Sequence, residues 1–91
     1  MPIIVESDPE VKEDISKIYR HRVVLYNDDI NSFDHVIECV MTICGKNEEE
    51  AFKITLEAHE KGKSVCFDGS IEACETVAEK MGIENLTVSL H

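Results

Sequence analysis

An α+β fold of two layers, a three-stranded sheet under three helices in the order β-α-α-β-α-β, follows from three observations. Short β-branched or apolar runs occur at Arg22-Val23-Val24-Leu25-Tyr26, Ser64-Val65-Cys66-Phe67 and Leu86-Thr87-Val88-Ser89-Leu90. The segments between them repeat apolar residues at helical spacing instead. And 91 residues supply only one core, so the strands must share it and take their helices on one face.

Each element has its own signals. Residues 1–18 hold acids (Glu6, Asp8, Glu10, Glu13, Asp14), two prolines and no apolar pattern beyond Ile3-Ile4-Val5, and read as a flexible acidic N-terminal tail before a core spanning 19–91. A basic cluster, Lys17, Arg20, His21 and Arg22, closes the tail and leads into the first strand. Asn27-Asp28-Asp29 ends that strand, because these side chains bond to nearby backbone and favour turns. Asn31 or Ser32 can cap the first helix, whose apolar side is Phe33, Val36, Ile37, Val40, Met41, Ile43 and Cys44, with Asp34, His35, Glu38 and Thr42 opposite. Gly45 is its stop. Asn47-x-x-Glu50 has the form of a capping box, and the second helix runs from there to about Lys61 and Gly62. Its apolar arc is broad: Ala51, Phe52, Ile54, Thr55, Leu56 and Ala58, with Lys53, Glu57 and Glu60 opposite. Asp68-Gly69 reads as a turn, and Ser70 caps a third helix bearing Ile71, Cys74, Val77, Ala78 and Met81, with Gly82 as its stop.

Composition excludes several functions. With 19 acidic against 9 basic side chains the net charge is −10, which argues against nucleic acid and against an anionic membrane surface. No apolar run approaches the ~20 residues of a membrane span. The start, MPIIVESDPE, has no basic flank, so no signal peptide is expected. Cys39, Cys44, Cys66 and Cys74 contain no C-x-x-C pair and are expected as reduced core thiols in a cytoplasmic protein, without metal or cofactor.

Two features carry potential chemistry. Asn27-Asp28-Asp29 crowds acceptors into one strand-to-helix turn; taken alone it is a cap. His59 falls within the apolar arc of the second helix, between Thr55 and Leu56; taken alone it is a core histidine satisfied by backbone. Together, an amide oxygen, a carboxylate and an imidazole make a good acceptor set for an ammonium group.

The stretches Arg22-Val23-Val24-Leu25-Tyr26-Asn27-Asp28-Asp29 and Leu56-Glu57-Ala58-His59-Glu60-Lys61-Gly62-Lys63-Ser64-Val65-Cys66 resemble the ClpS family. Its members are adaptors of the Clp AAA+ unfoldase–peptidase and bind N-degrons, protein N-termini that begin with a bulky apolar residue. The resemblance covers about residues 20–91, and the family's β-α-α-β-α-β order agrees with the order read above. It implies that Asn27, Asp28 and His59 hold the substrate α-ammonium and that Asp29 orients the peptide. It implies that Phe33, Val36, Thr55, Ala58 and Leu86 line the pocket for the first side chain, and that Glu72 faces the unfoldase. The implied partners are a ClpA- or ClpC-type unfoldase with the ClpP peptidase, and substrates beginning with Leu, Phe, Tyr or Trp. The implied place is the cytoplasm, or the stroma for a plastid protein.

The sequence departs from the family pattern at three places. Ile30-Asn31-Ser32-Phe33 stands where the family usually has Tyr/Phe-Thr-Pro-Met, so Phe33 replaces a gating Met. Thr55 replaces a frequent Met and Ala58 a Val or Ile, which enlarges the pocket floor and predicts tolerance of aromatic first residues. The third helix is shorter, and Glu72-Ala73-Cys74-Glu75-Thr76-Val77 ends in Val where the family has Lys.

Three other readings compete. One is a module of the same fold that modulates or inhibits the unfoldase without delivering degrons. Another is a purely structural module, like the C-terminal domain of the bacterial ribosomal stalk protein, which needs no ammonium site. The third, a metal or enzyme site of Asp28, His59 and Cys66, has no supporting ligand-pair or nucleophile motif.

Overall fold

The computed structural model describes residues 20–91. The stretch read as an acidic tail, residues 1–18, lies outside the described residues. The elements are β1 (His21–Tyr26), α1 (Phe33–Cys44), α2 (Glu48–Lys61), β2 (Lys63–Gly69), α3 (Ile71–Ile83) and β3 (Val88–Leu90). The sheet is antiparallel with order β2-β1-β3, so the most continuously apolar strand is the central one. Val23 and Leu25, both buried, face the helices beside Cys66 of β2, and Val40, Cys74 and Met81 close over them. A bulge between Val23 and Val24 shifts the pairing with β2, from Val23 opposite Phe67 to Val24 opposite Val65.

Helix starts follow local chemistry. Ser32, not Asn31, caps α1, accepting from the His35 N–H. Asn47 and Glu50 form the reciprocal box at α2. Ser70 caps α3 through the Ala73 N–H. Gly45 and Gly62 adopt the left-handed conformation that ends α1 and α2.

Several expectations are corrected. Asp68-Gly69 is not a turn but the end of β2, paired with Arg22 and His21, with Arg20 bridging to Asp68 at 2.7 Å. Gly82 lies inside α3, which ends instead on a Schellman turn. Asn85 takes a left-handed φ of 67°, its N–H donates to the Gly82 carbonyl, and the Leu86 N–H donates to the Met81 carbonyl. Leu86 and Thr87 therefore belong to this turn, and β3 holds only Val88–Leu90. The apolar face of α1 is also wider than the wheel suggests, because Cys39 is fully packed and His35 half-buried beside it. Phe52 is half exposed, resting edge-on against Phe33 at a centroid distance of 5.8 Å. Val77, where the third helix departs from the expected pattern, is core.

Candidate functional site

The ends of β1, α1 and α2 and the turn after α3 meet around one hollow. Two backbone bonds set this meeting. The Asn27 N–H donates to the Gly62 carbonyl at 3.0 Å, which holds the end of β1 against the last turn of α2. The Tyr26 N–H donates to the Thr87 carbonyl at 2.9 Å, which holds it against the turn after α3. Gly62 can serve because its left-handed φ of 94° turns the chain sharply at the end of α2.

The hollow has a volume of about 180 Å³. Asn27, Asp28, Asp29 and His59 contribute polar groups, and Phe33, Val36, Thr55, Ala58 and Leu86 line it with them. Nine residues singled out from the sequence thus border one cavity. A cavity of about 150 Å³ with aliphatic and aromatic walls admits a benzene ring, so one large side chain fits this space.

Asp28 is the most constrained of the polar residues. Its Oδ1 accepts from the backbone N–H groups of Ile30 (3.1 Å) and Asn31 (2.9 Å), and the Asn31 amide donates to both oxygens. Thr87 Oγ1 lies 3.5 Å from Oδ2. Burial pushes the Asp28 carboxyl up, but the bonds from Asn31, Ile30 and Thr87 together outweigh it and hold the group below the usual carboxylate range. The carboxylate is thus a negative charge held in place by donors of its own turn and of Thr87. The same Asn31 amide also donates to the Asn85 carbonyl at 2.9 Å, which ties the triplet to the turn that carries Leu86. Asn31, Leu25 and Tyr26 also border the cavity and went unassigned in the sequence, because Asn31's partner lies 54 positions away and the strand residues read as core.

His59 is not a core histidine: it is exposed at the cavity, its ring edge-on to Phe33 at 6.2 Å. Phe33 borders the cavity with its ring against both His59 and Phe52. Glu72 is exposed in the first turn of α3 and does not border the cavity.

The cysteines are all buried free thiols. Cys66 Sγ sits in the core and donates to the Val23 carbonyl, so it does not join Asp28 and His59. One convergent set of metal-ligand side chains occurs among the described residues, and it is a different one: His35, Cys39 and Glu84. His35, placed by the sequence opposite the apolar side of α1, is half-buried, with Nε2 3.1 Å from the Glu84 carbonyl. Among the described residues no helix is long and apolar enough to cross a membrane.

Comparison with known proteins matches residues 16–87 to the family model described as ATP-dependent Clp protease adaptor protein ClpS. The chain is 38% identical over 71 residues to the ATP-dependent Clp protease adapter protein ClpS of Oleidesulfovibrio alaskensis, covering 78% of this chain and 68% of that one. It is 39% identical over 77 residues to the protein of the same name in Nautilia profundicola, covering 85% and 75%. Its fold matches that of Agrobacterium tumefaciens ClpS2 bound to L-phenylalaninamide, with a TM-score of 0.73 at 22% identity over 80% of this chain and 95% of the other.

Proposed function

The chain belongs to the ClpS family of ATP-dependent Clp protease adaptors, and from that premise we propose that its cavity captures protein N-termini bearing a free α-amino group and a bulky apolar first residue. The adaptor then hands them to a ClpA- or ClpC-type unfoldase working with ClpP. Asn27, Asp28 and His59 accept from the α-ammonium, Asp29 orients the following peptide, and Phe33, Val36, Thr55, Ala58 and Leu86 enclose the first side chain. Exposed Glu72, on α3 and away from the cavity, is the residue we assign to the unfoldase. The protein performs no catalysis; bond cleavage belongs to its partners. Four free thiols suit a reducing, cytoplasmic setting.

The single observation that carries this reading is the joining of the polar set and the apolar walls in one cavity of about 180 Å³. The ligand in the Agrobacterium structure, an amino-acid amide with a free amine and a benzyl group, has the two features the cavity is built to accept.

Energetics explain why both features are needed. An α-amino group has a pKa of about 7.7–8.0 and is mostly charged at neutral pH. Hydrogen bonds to a charged group contribute about 1.5–3 kcal/mol each, and burying a Leu or Phe side chain about 1.5–3 kcal/mol. Three such bonds plus one buried side chain sum to about 6–12 kcal/mol before association costs, against about 8 kcal/mol for a micromolar complex, so neither half suffices alone. An internal Leu lacks the charge, and an acetylated terminus leaves the acceptors unpaired.

The test is a titration of fluorescent peptides differing only in residue one, with free or acetylated termini. Free-amine peptides starting with Phe, Tyr, Trp or Leu should bind and acetylated ones should not, and Asp28→Ala should erase that difference. Because Asp28 is held charged below the usual range, binding should stay level through neutral pH and fall as the peptide amine deprotonates. Equal binding of acetylated peptides would refute the ammonium site. Leu binding more than about tenfold tighter than all three aromatics would refute the enlarged floor under Phe33, a difference of about 1.4 kcal/mol.

A further inference from the structure

We propose that His35, Cys39 and Glu84 bind one zinc ion at the seam between α1 and the turn after α3, on the far side of that turn's contacts with the cavity. His35 and Cys39 are four residues apart and share a face of α1. Glu84 caps α3 and lies against them. The Cys39 Sγ to His35 Nε2 distance is 3.7 Å and the His35 Nε2 to Glu84 Oε1 distance is 4.0 Å. All three ligand atoms lie within 4.8 Å of one another.

These distances can be set against coordination geometry. Tetrahedral zinc, with bonds of about 2.3 Å to sulfur and about 2.0–2.2 Å to nitrogen and oxygen, spaces its S and N ligands about 3.6 Å apart and its N and O ligands about 3.4 Å apart. The sulfur and imidazole are already at that separation. The Glu84 carboxylate, half exposed on one side, closes the remaining gap by side-chain rotation. The Glu84 carbonyl, 3.1 Å from His35 Nε2, stands beside the ring as a candidate fourth ligand, and a water could fill that position instead.

The donor set selects the ion. One thiol, one imidazole and one carboxylate suit zinc, whereas magnesium and calcium demand oxygen. On binding, zinc would take Cys39 as the thiolate, its proton leaving to solvent, and His35 through an unprotonated Nε2 of the neutral ring. The ion would pin the start of α1 to the turn whose next residues, Asn85 and Leu86, hold Asn31 and wall the cavity.

The site shares no side chain with the degron cavity, so the two proposals fail separately. The test uses reduced, metal-free full-length chain titrated with Zn²⁺ against a chromophoric chelator, and with Co²⁺ as a spectroscopic probe. We expect one equivalent to bind, a thiolate-to-cobalt charge-transfer band, and a higher thermal midpoint with zinc. His35→Asn and Cys39→Ala should abolish the band, and Glu84→Gln should weaken zinc binding by more than about tenfold, the scale of loss seen even for outer supporting groups. His91→Gln and His21→Gln should change nothing. If Cys39→Ala fails to fold, the partly exposed His35→Asn and Glu84→Gln decide the matter. A missing thiolate band, or a band that survives both of those variants, overturns the proposal.

Discussion

Thr55 has a polar side-chain atom, Oγ1, that is buried with no hydrogen-bond partner among the described residues. It borders the cavity from α2, next to Ala58 and His59. A buried hydroxyl without a partner costs about 1–3 kcal/mol, so this position is strained in polarity and not in shape. Thr55→Val keeps the branched outline and removes the orphan. It should stabilise the fold by about 1 kcal/mol, read as a rise of about 4–8 °C in the thermal midpoint, with little change in affinity for a Phe-initiated peptide. A lower midpoint would mean the hydroxyl has a partner in solution. At this scale the sequence was informative where partners are local: the turn read from Asn27-Asp28-Asp29 is made by Asp28 Oδ1 accepting from the Ile30 and Asn31 N–H groups. It was silent where the partner is distant. Asn31's bond to Asn85 and His35's contact with Glu84 span about half the chain, and no spacing rule encodes them.

The turn after α3 shows how an element end can shape a site. A left-handed conformation costs an L-residue about 1–2 kcal/mol, and Asn tolerates it better than most. Asn85 therefore holds the Schellman turn that delivers Leu86 to the cavity. Asn85→Ala should lower the urea midpoint by an amount equal to about 1 kcal/mol, whereas Asn85→Gly should match or exceed the parent. If Ala proves harmless, the turn is not under that strain. The same turn explains the misplaced helix end. Gly82 looks like a stop, but a glycine at negative φ inside a helix is only a weak one, and the signal that wins is the Asn three positions later. Helix starts were legible because Ser32, Asn47 and Ser70 act within their own first turns. Strand limits were not, because they depend on the neighbour: β2 reaches Gly69 only because β1 reaches His21.

For the molecule as a whole, the net charge of −10 sets a second constraint. Like charges oppose the compact state, and salt relieves this because the screening length falls from about 30 Å at 0.01 M to about 3 Å at 1 M. Among the described residues, the Lys and Arg ion pairs that salt would weaken, Arg20–Asp68 and Lys61–Glu57, are exposed and add little. The thermal midpoint should therefore rise from low to moderate sodium chloride; a fall would mean that attractive pairs dominate the surface.

Every wall of the hollow comes from a different stretch of chain, and none of them brings a complete lining. A half-folded copy thus has no cavity to offer a ligand. Occupancy and intactness become the same event, and any tenant lends the fold stability through mass action, about 2.7 kcal/mol at a hundredfold excess over its dissociation constant. An empty adaptor is the one most easily lost.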